Sequence, residues 1–122
     1  ARKINKQKTK WVIEKIVSMA KTMKSNLGYD PKIGCLGLTY KPNVDDLRES
    51  PALFITRELI KLKLNILPCD PNVKKLDNLA LYNLEKVIDE SDFLVFLTAH
   101  KEFSDLNFLN YKYFDACGIT SL

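Results

Sequence analysis

The sequence predicts an α/β domain with a mainly parallel sheet, preceded by a long N-terminal helix. Two observations carry this reading. Short apolar runs bounded by turn residues alternate with stretches of helical periodicity, and each crossover helix returns the chain to the same edge of the sheet. The 122 residues are 46% apolar, 10% aromatic and 28% charged, the composition of one globular domain with a core that needs neither disulfides nor a structural metal.

From Ile4 to Met23 the residues Val12, Ile16, Met19, Ala20 and Met23 recur at three- and four-residue steps, with lysines between them. This is an amphipathic helix, which Asn26-Leu27-Gly28 and Asp30-Pro31 bring to an end. It opens in mid-pattern, so the chain reads as a piece of a longer protein. Lys32 to Leu38 is a buried strand, and Thr39 to Glu49 is polar and irregular. Ser50-Pro51 starts a helix over 51–63: serine caps free amides and proline suits the first helical position. Its stripe is Ala52, Ile55, Leu59 and Leu62.

Asn65 to Cys69 is a second strand, in which Pro68 lacks a ladder donor and marks an edge or an early end. Leu84, Val87 and Ile88 form a short helix, and Phe93 to Leu97 is the most apolar strand. A helix or turn over His100 to Leu106 and a last strand over Tyr111 to Ala116 complete the order.

No run approaches the length of a membrane span and there is no signal-peptide core, so a cytoplasmic protein is expected. Cys35, Cys69 and Cys117 are far apart, and His100 is the only histidine, which leaves no four-ligand zinc site. The net charge of +4 is uneven. Residues 1–24 carry +7 and the rest −3, so a basic arm for nucleic acid competes with a solvated helix face. A third reading makes the first helix a dimerisation module.

Ligands of open parallel sheets bind beyond the carboxyl ends of the strands. The connection Leu38 to Ser50 is therefore the candidate site, ending where helix amides favour an anion. Lys41 and Arg48 supply charge, and Tyr40 supplies a surface for a base or sugar. Pairing of Arg48 with Asp45, Asp46 or Glu49 is the structural alternative. The dinucleotide fingerprint is absent, since Gly34 and Gly37 are followed by no third glycine opening a helix, which argues against a primary NAD site. Asp70 fits a ribose-binding acid and an Asp-Pro turn equally well. Asp45-Asp46 reads as helix-start charge before a cation site, and His100 has no nearby Ser or Cys for a triad.

The run Gly37-Leu38-Thr39-Tyr40-Lys41-Pro42-Asn43-Val44-Asp45-Asp46-Leu47-Arg48-Glu49-Ser50-Pro51-Ala52 resembles the C-terminal domain of the UDP-glucose/GDP-mannose dehydrogenase family. Ala1-Arg2-Lys3-Ile4-Asn5, Cys69-Asp70-Pro71, Ala99-His100-Lys101-Glu102-Phe103 and Phe114-Asp115-Ala116-Cys117-Gly118-Ile119 add to the likeness, which covers nearly the whole chain. The wording is most similar to the branch acting on UDP-N-acetyl-D-mannosamine. Branches acting on UDP-N-acetylglucosamine or UDP-glucose are the alternatives.

The resemblance implies a Rossmann-like three-layer domain over residues 29–122, with residues 1–28 ending a central helix at a homodimer interface. It implies a full-length, NAD-dependent enzyme that oxidises the sugar C6 alcohol to a uronic acid in two steps, for a bacterial surface polysaccharide. By the family pattern Tyr40 and Lys41 contact the UDP part of the substrate and Arg48 reaches NAD. The catalytic cysteine and lysine lie upstream, so no residue here is catalytic and no metal is expected. One departure is Cys117, which stands where many relatives carry Arg or Lys.

Overall fold

The computed structural model describes residues 6–43, 47, 50–107 and 110–118. The chain runs α1 (Lys6–Leu27), β1 (Lys32–Leu36), α2 (Pro51–Lys61), β2 (Asn65–Cys69), α3 (Leu84–Glu90), β3 (Phe93–Phe96), α4 (Lys101–Ser104) and β4 (Tyr113–Asp115). The four strands form one sheet in the order β2-β1-β3-β4, parallel at every pairing. Ile33 sits opposite Ile66 on one side and Phe93 on the other.

Strand alternation divides the core in two. Ile33, Cys35, Phe93 and Val95 face α1 and α2, where they pack with Val12, Ile16, Ala20, Ile55 and Leu59. Leu36, Leu94, Phe96 and Cys69 face the other way, toward Val87 of α3 and Phe103 of α4. The sheet is thus the middle of three layers, as expected. The apolar stripe of α1 is spent on this core, with Ile16 fully buried.

Gly34 shows why α3 lies so close to the sheet. A Cβ there would stand 2.5 Å from Val87 Cγ1, 2.7 Å from Ser91 Oγ and 2.9 Å from Leu94 Cδ2.

The elements appear where the sequence puts them, with shorter ends. β1 stops at Leu36, because the backbone turns at Gly37 (φ 102°) and the Leu38 N–H bonds to the Asp70 side chain. α2 ends at Lys61, with Leu62 as its cap and Lys63 left-handed at φ 68°. β3 ends at Phe96, and β4 keeps only Tyr113 to Asp115. Pro68 lies in β2, which is an edge strand, as its missing donor requires.

Candidate functional site

The chain steps outward from β1 to β2, then crosses back to lay β3 on the other side of β1. The strand order therefore reverses between β1 and β3, and their carboxyl ends open the crevice where such sheets bind ligands. The connections leaving these two strands are held together closely. Leu97 N–H donates to the Leu36 carbonyl at 2.9 Å, and Thr98 Oγ1 donates to the Thr39 carbonyl at 2.8 Å. A Cβ on Gly37 would lie 2.6 Å from both the backbone nitrogen and the Cβ of Thr98.

A buried polar cluster fixes the segment Leu38 to Asn43. Asp70, at the end of β2, accepts from Leu38 N–H at 2.7 Å and Thr39 N–H at 3.3 Å through Oδ2, and from Asn72 N–H at 2.8 Å through Oδ1. The same Oδ2 lies 2.9 Å from Nε2 of His100, and both side chains are fully removed from solvent. On the far side of the ring, Nδ1 accepts the Asn43 N–H at 2.8 Å, and Asn72 Nδ2 is 3.0 Å from it. A backbone amide only donates, so Nδ1 carries no proton and Nε2–H is the donor to Asp70. Thr39 Oγ1 also lies 3.2 Å from Nε2 and donates to the Lys41 carbonyl at 2.8 Å.

Burial by itself would raise the Asp70 carboxyl. The hydrogen bonds from His100, Leu38 N–H and Asn72 N–H outweigh it and hold the group below its ordinary 3.8. Asn43 closes the arrangement from the loop side: left-handed at φ 62°, it accepts the Lys101 N–H on Oδ1 at 2.8 Å. The Asp-Pro turn reading of Asp70 is thus incomplete, because the carboxylate reaches three separate parts of the chain. Sequence reasoning missed this cluster. Its signal was an acid directly after β2 and a histidine four residues after β3.

Beside the cluster lies a cleft of about 200 Å³, lined by Lys8 and Thr9 of α1, Thr39 and Tyr40 of the first connection, and Cys117 after β4, over an apolar floor that includes Ile55 and Leu97. Of the expected contact residues, Tyr40 lines it, whereas Lys41 is exposed and does not. Arg48 lies outside the described residues, as do Asp45, Asp46 and Glu49. Among the described residues, the one charged side chain lining the cleft is Lys8, from a helix that sequence reasoning left out of the site.

The first turn of α2 offers an anion less than its sequence promised. Pro51 has no N–H, Ser50 Oγ takes the Leu53 N–H at 3.3 Å, and Phe54 N–H bonds to the Ser50 carbonyl. Ser50 Oγ in turn donates to the Leu38 carbonyl at 2.7 Å, so the cap also ties the helix to the loop.

The glycines do not fit a primary dinucleotide site. Gly34 is filled by α3 and Gly37 by Thr98, so neither leaves the open backbone cradle that a pyrophosphate needs. Burial pushes the Cys35 and Cys69 thiols up to about 12, which makes both inert. Among the described residues, no group of His, Cys, Asp and Glu could hold a metal, and no helix is long and apolar enough to cross a membrane. The ring of Trp11, in the basic segment, lies 6.1 Å from that of Phe114.

A parallel α/β domain with a cleft at its strand-order reversal is a nucleotide-site architecture. The model of the UDP-glucose/GDP-mannose dehydrogenase family, UDP binding domain, matches residues 34–117, and the chain belongs to that family. It is 42% identical over 114 residues to the UDP-N-acetyl-D-mannosamine dehydrogenase of Campylobacter jejuni, covering 87% of this chain and 27% of that protein. It is 34% identical to the NDP-N-acetyl-D-galactosaminuronic acid dehydrogenase of Ralstonia solanacearum, covering 88% and 25%. In structure it is similar to the UDP-N-acetyl-mannosamine dehydrogenase of Staphylococcus aureus, with a TM-score of 0.74 and 25% identity over 91% of this chain and 27% of that one. The chain spans about a quarter of the length of these relatives.

Proposed function

We propose that this chain is the UDP-sugar-binding part of an NAD-dependent nucleotide-sugar 6-dehydrogenase. The substrate it favours is UDP-N-acetyl-D-mannosamine, oxidised at C6 to the uronic acid for a surface polysaccharide. The observation that carries this reading is the cleft beside Tyr40, which opens at the strand-order reversal between α1 and the segment matched by the family model. Its volume of about 200 Å³ is below the roughly 300–1,000 Å³ usual for a whole small-molecule site. In this reading the cleft receives only the nucleotide end, and the sugar is held elsewhere in a cytoplasmic enzyme.

Tyr40 offers a face to the base or ribose, and Lys8 and Lys41 bring positive charge to the diphosphate. Arg48 reaches NAD, which is bound mainly by another part of the enzyme. Residues 1–28 end a central helix and residues 29–122 form the UDP domain. Because Val12, Ile16 and Ala20 are buried in the chain's own core, the homodimer contact falls to the other faces of α1.

An amide-resolved NMR titration with UDP, with NAD and with a short oligonucleotide at physiological salt tests the reading. UDP is expected to shift Lys8, Thr9, residues 38–43 and Cys117. Silence there with UDP overturns the reading, and shifts along α1 with the oligonucleotide alone favour a nucleic-acid module.

A further inference from the structure

We infer that His100 is a positioning residue for nucleotide binding: it sets the path of the segment that carries Tyr40 and Lys41 without lining the cleft itself. The inference rests on the UDP-binding reading and adds to it a residue outside the cleft lining. Tyr40 and Lys41 lie between two points that the ring controls. Upstream, Nε2–H orients the Asp70 carboxylate that takes the Leu38 and Thr39 amides, and Thr39 Oγ1 is 3.2 Å from the same nitrogen. Downstream, Nδ1 takes the Asn43 amide at 2.8 Å. One ring thus spans both ends of a short, irregular stretch that no strand among the described residues pairs with.

Imidazole suits this task in its neutral form, with a donor and an acceptor on opposite edges. A protonated ring would present a second N–H to the Asn43 and Asn72 donors, and an aliphatic side chain would take one donor from Asp70 and leave the Asn43 amide without its acceptor. The ring is also held in place. It is fully buried and lies 5.6 Å from the Phe103 ring in an edge-on arrangement. His100 follows β3 by only four residues, so the strand-order reversal places the ring between the two connections.

The two functions of the ring are separable. In His100→Asn the side-chain oxygen stands near the Nδ1 position and keeps an acceptor for Asn43. In His100→Gln the terminal amide stands near Nε2 and keeps a donor for Asp70. In His100→Ala both are lost.

The experiment measures UDP affinity of the 122-residue chain by calorimetry, alongside thermal unfolding, at a temperature where every variant is folded. We expect His100→Ala to lose at least tenfold in UDP affinity. His100→Asn and His100→Gln should each restore part of it, in an order that need not follow their unfolding temperatures. A residue that only stabilises the fold lowers the unfolding temperature and leaves the affinity of the folded chain unchanged, and that result overturns the inference. Should His100→Ala fail to fold, wild-type UDP affinity in both the Asn and Gln variants overturns it equally. If the unaltered chain does not bind UDP, the UDP-binding reading falls and takes this inference with it. Unaltered binding in the variants defeats this inference alone.

Discussion

The two ends of β1 are each held by an aspartate, in opposite surroundings. At the amino end, Asp92 accepts the Lys32 N–H at 2.8 Å and the Tyr29 hydroxyl at 2.9 Å, both bonds near solvent. At the carboxyl end, Asp70 accepts the Leu38 and Thr39 amides with its side chain sealed from water and a buried histidine against it. The bonds are alike in geometry and differ in what replaces them when broken. Water substitutes at the first end, and nothing does at the second. Buried polar order is thus concentrated where the cleft opens.

The strongest way to break this contrast is Asp70→Ala. It leaves His100 Nε2–H and the Leu38 and Asn72 amides without their acceptor, and should cost about 3 kcal/mol or more in urea unfolding. The same carboxylate sets an acid limb. Its folded value lies below the ordinary 3.8, so its contribution is whole above that pH and is lost as the pH falls through the folded value. Unfolding curves across that range should show the loss in the unaltered chain and not in Asp70→Ala.

Gly34→Ala probes the middle of the strand. The new methyl meets Val87, Ser91 and Leu94 at 2.5 to 2.9 Å, so α3 must shift, at a cost of about 1–3 kcal/mol in the same assay.

Ligand should be felt at one end only. In the native chain a thiol reagent should modify Cys117, which is partly exposed, and spare Cys35 and Cys69, whose thiols stand at about 12. UDP should slow the Cys117 reaction several-fold, and an unchanged rate removes Cys117 from the site.

The smallest effect is expected from Asp92→Ala. The Lys32 amide it releases is near enough to water to be rehydrated, so the loss should be at most about 1 kcal/mol. Tyr29 gives a second readout. Asp92 raises its phenol above 10.0 mainly by accepting its hydroxyl, so the variant should bring the ultraviolet titration back toward that value. A loss matching that of Asp70→Ala would erase the contrast.

What the sequence disclosed and what it withheld follow the range of the interactions. The start of α2 was legible because serine capping and proline at the first turn act within four residues, and β1 and β3 were legible because a strand buried on both faces reads as a continuous apolar run. The end of β1 was set too late, since Gly37 and Leu38 are as apolar as a strand while the bonds that bend them come from Asp70 and Cys69. The His100–Asp70 pair, thirty residues apart, meets only because β2 and β3 flank β1. Lys8 entered the cleft for the same reason: helical periodicity tells which face of α1 is buried, not which end of the sheet its first turns reach.

The central place of β1 also constrains how the domain assembles as it leaves the ribosome. Ile33 finds its first partner 33 residues later, at Ile66, and its second 60 residues later, at Phe93. Closing the longer loop costs only about half a kcal/mol more than the shorter one. The delay is in time: until β3 emerges, the β1–β2 pair presents an open, apolar edge, and a nascent chain halted between Cys69 and Phe93 would expose that edge to its neighbours.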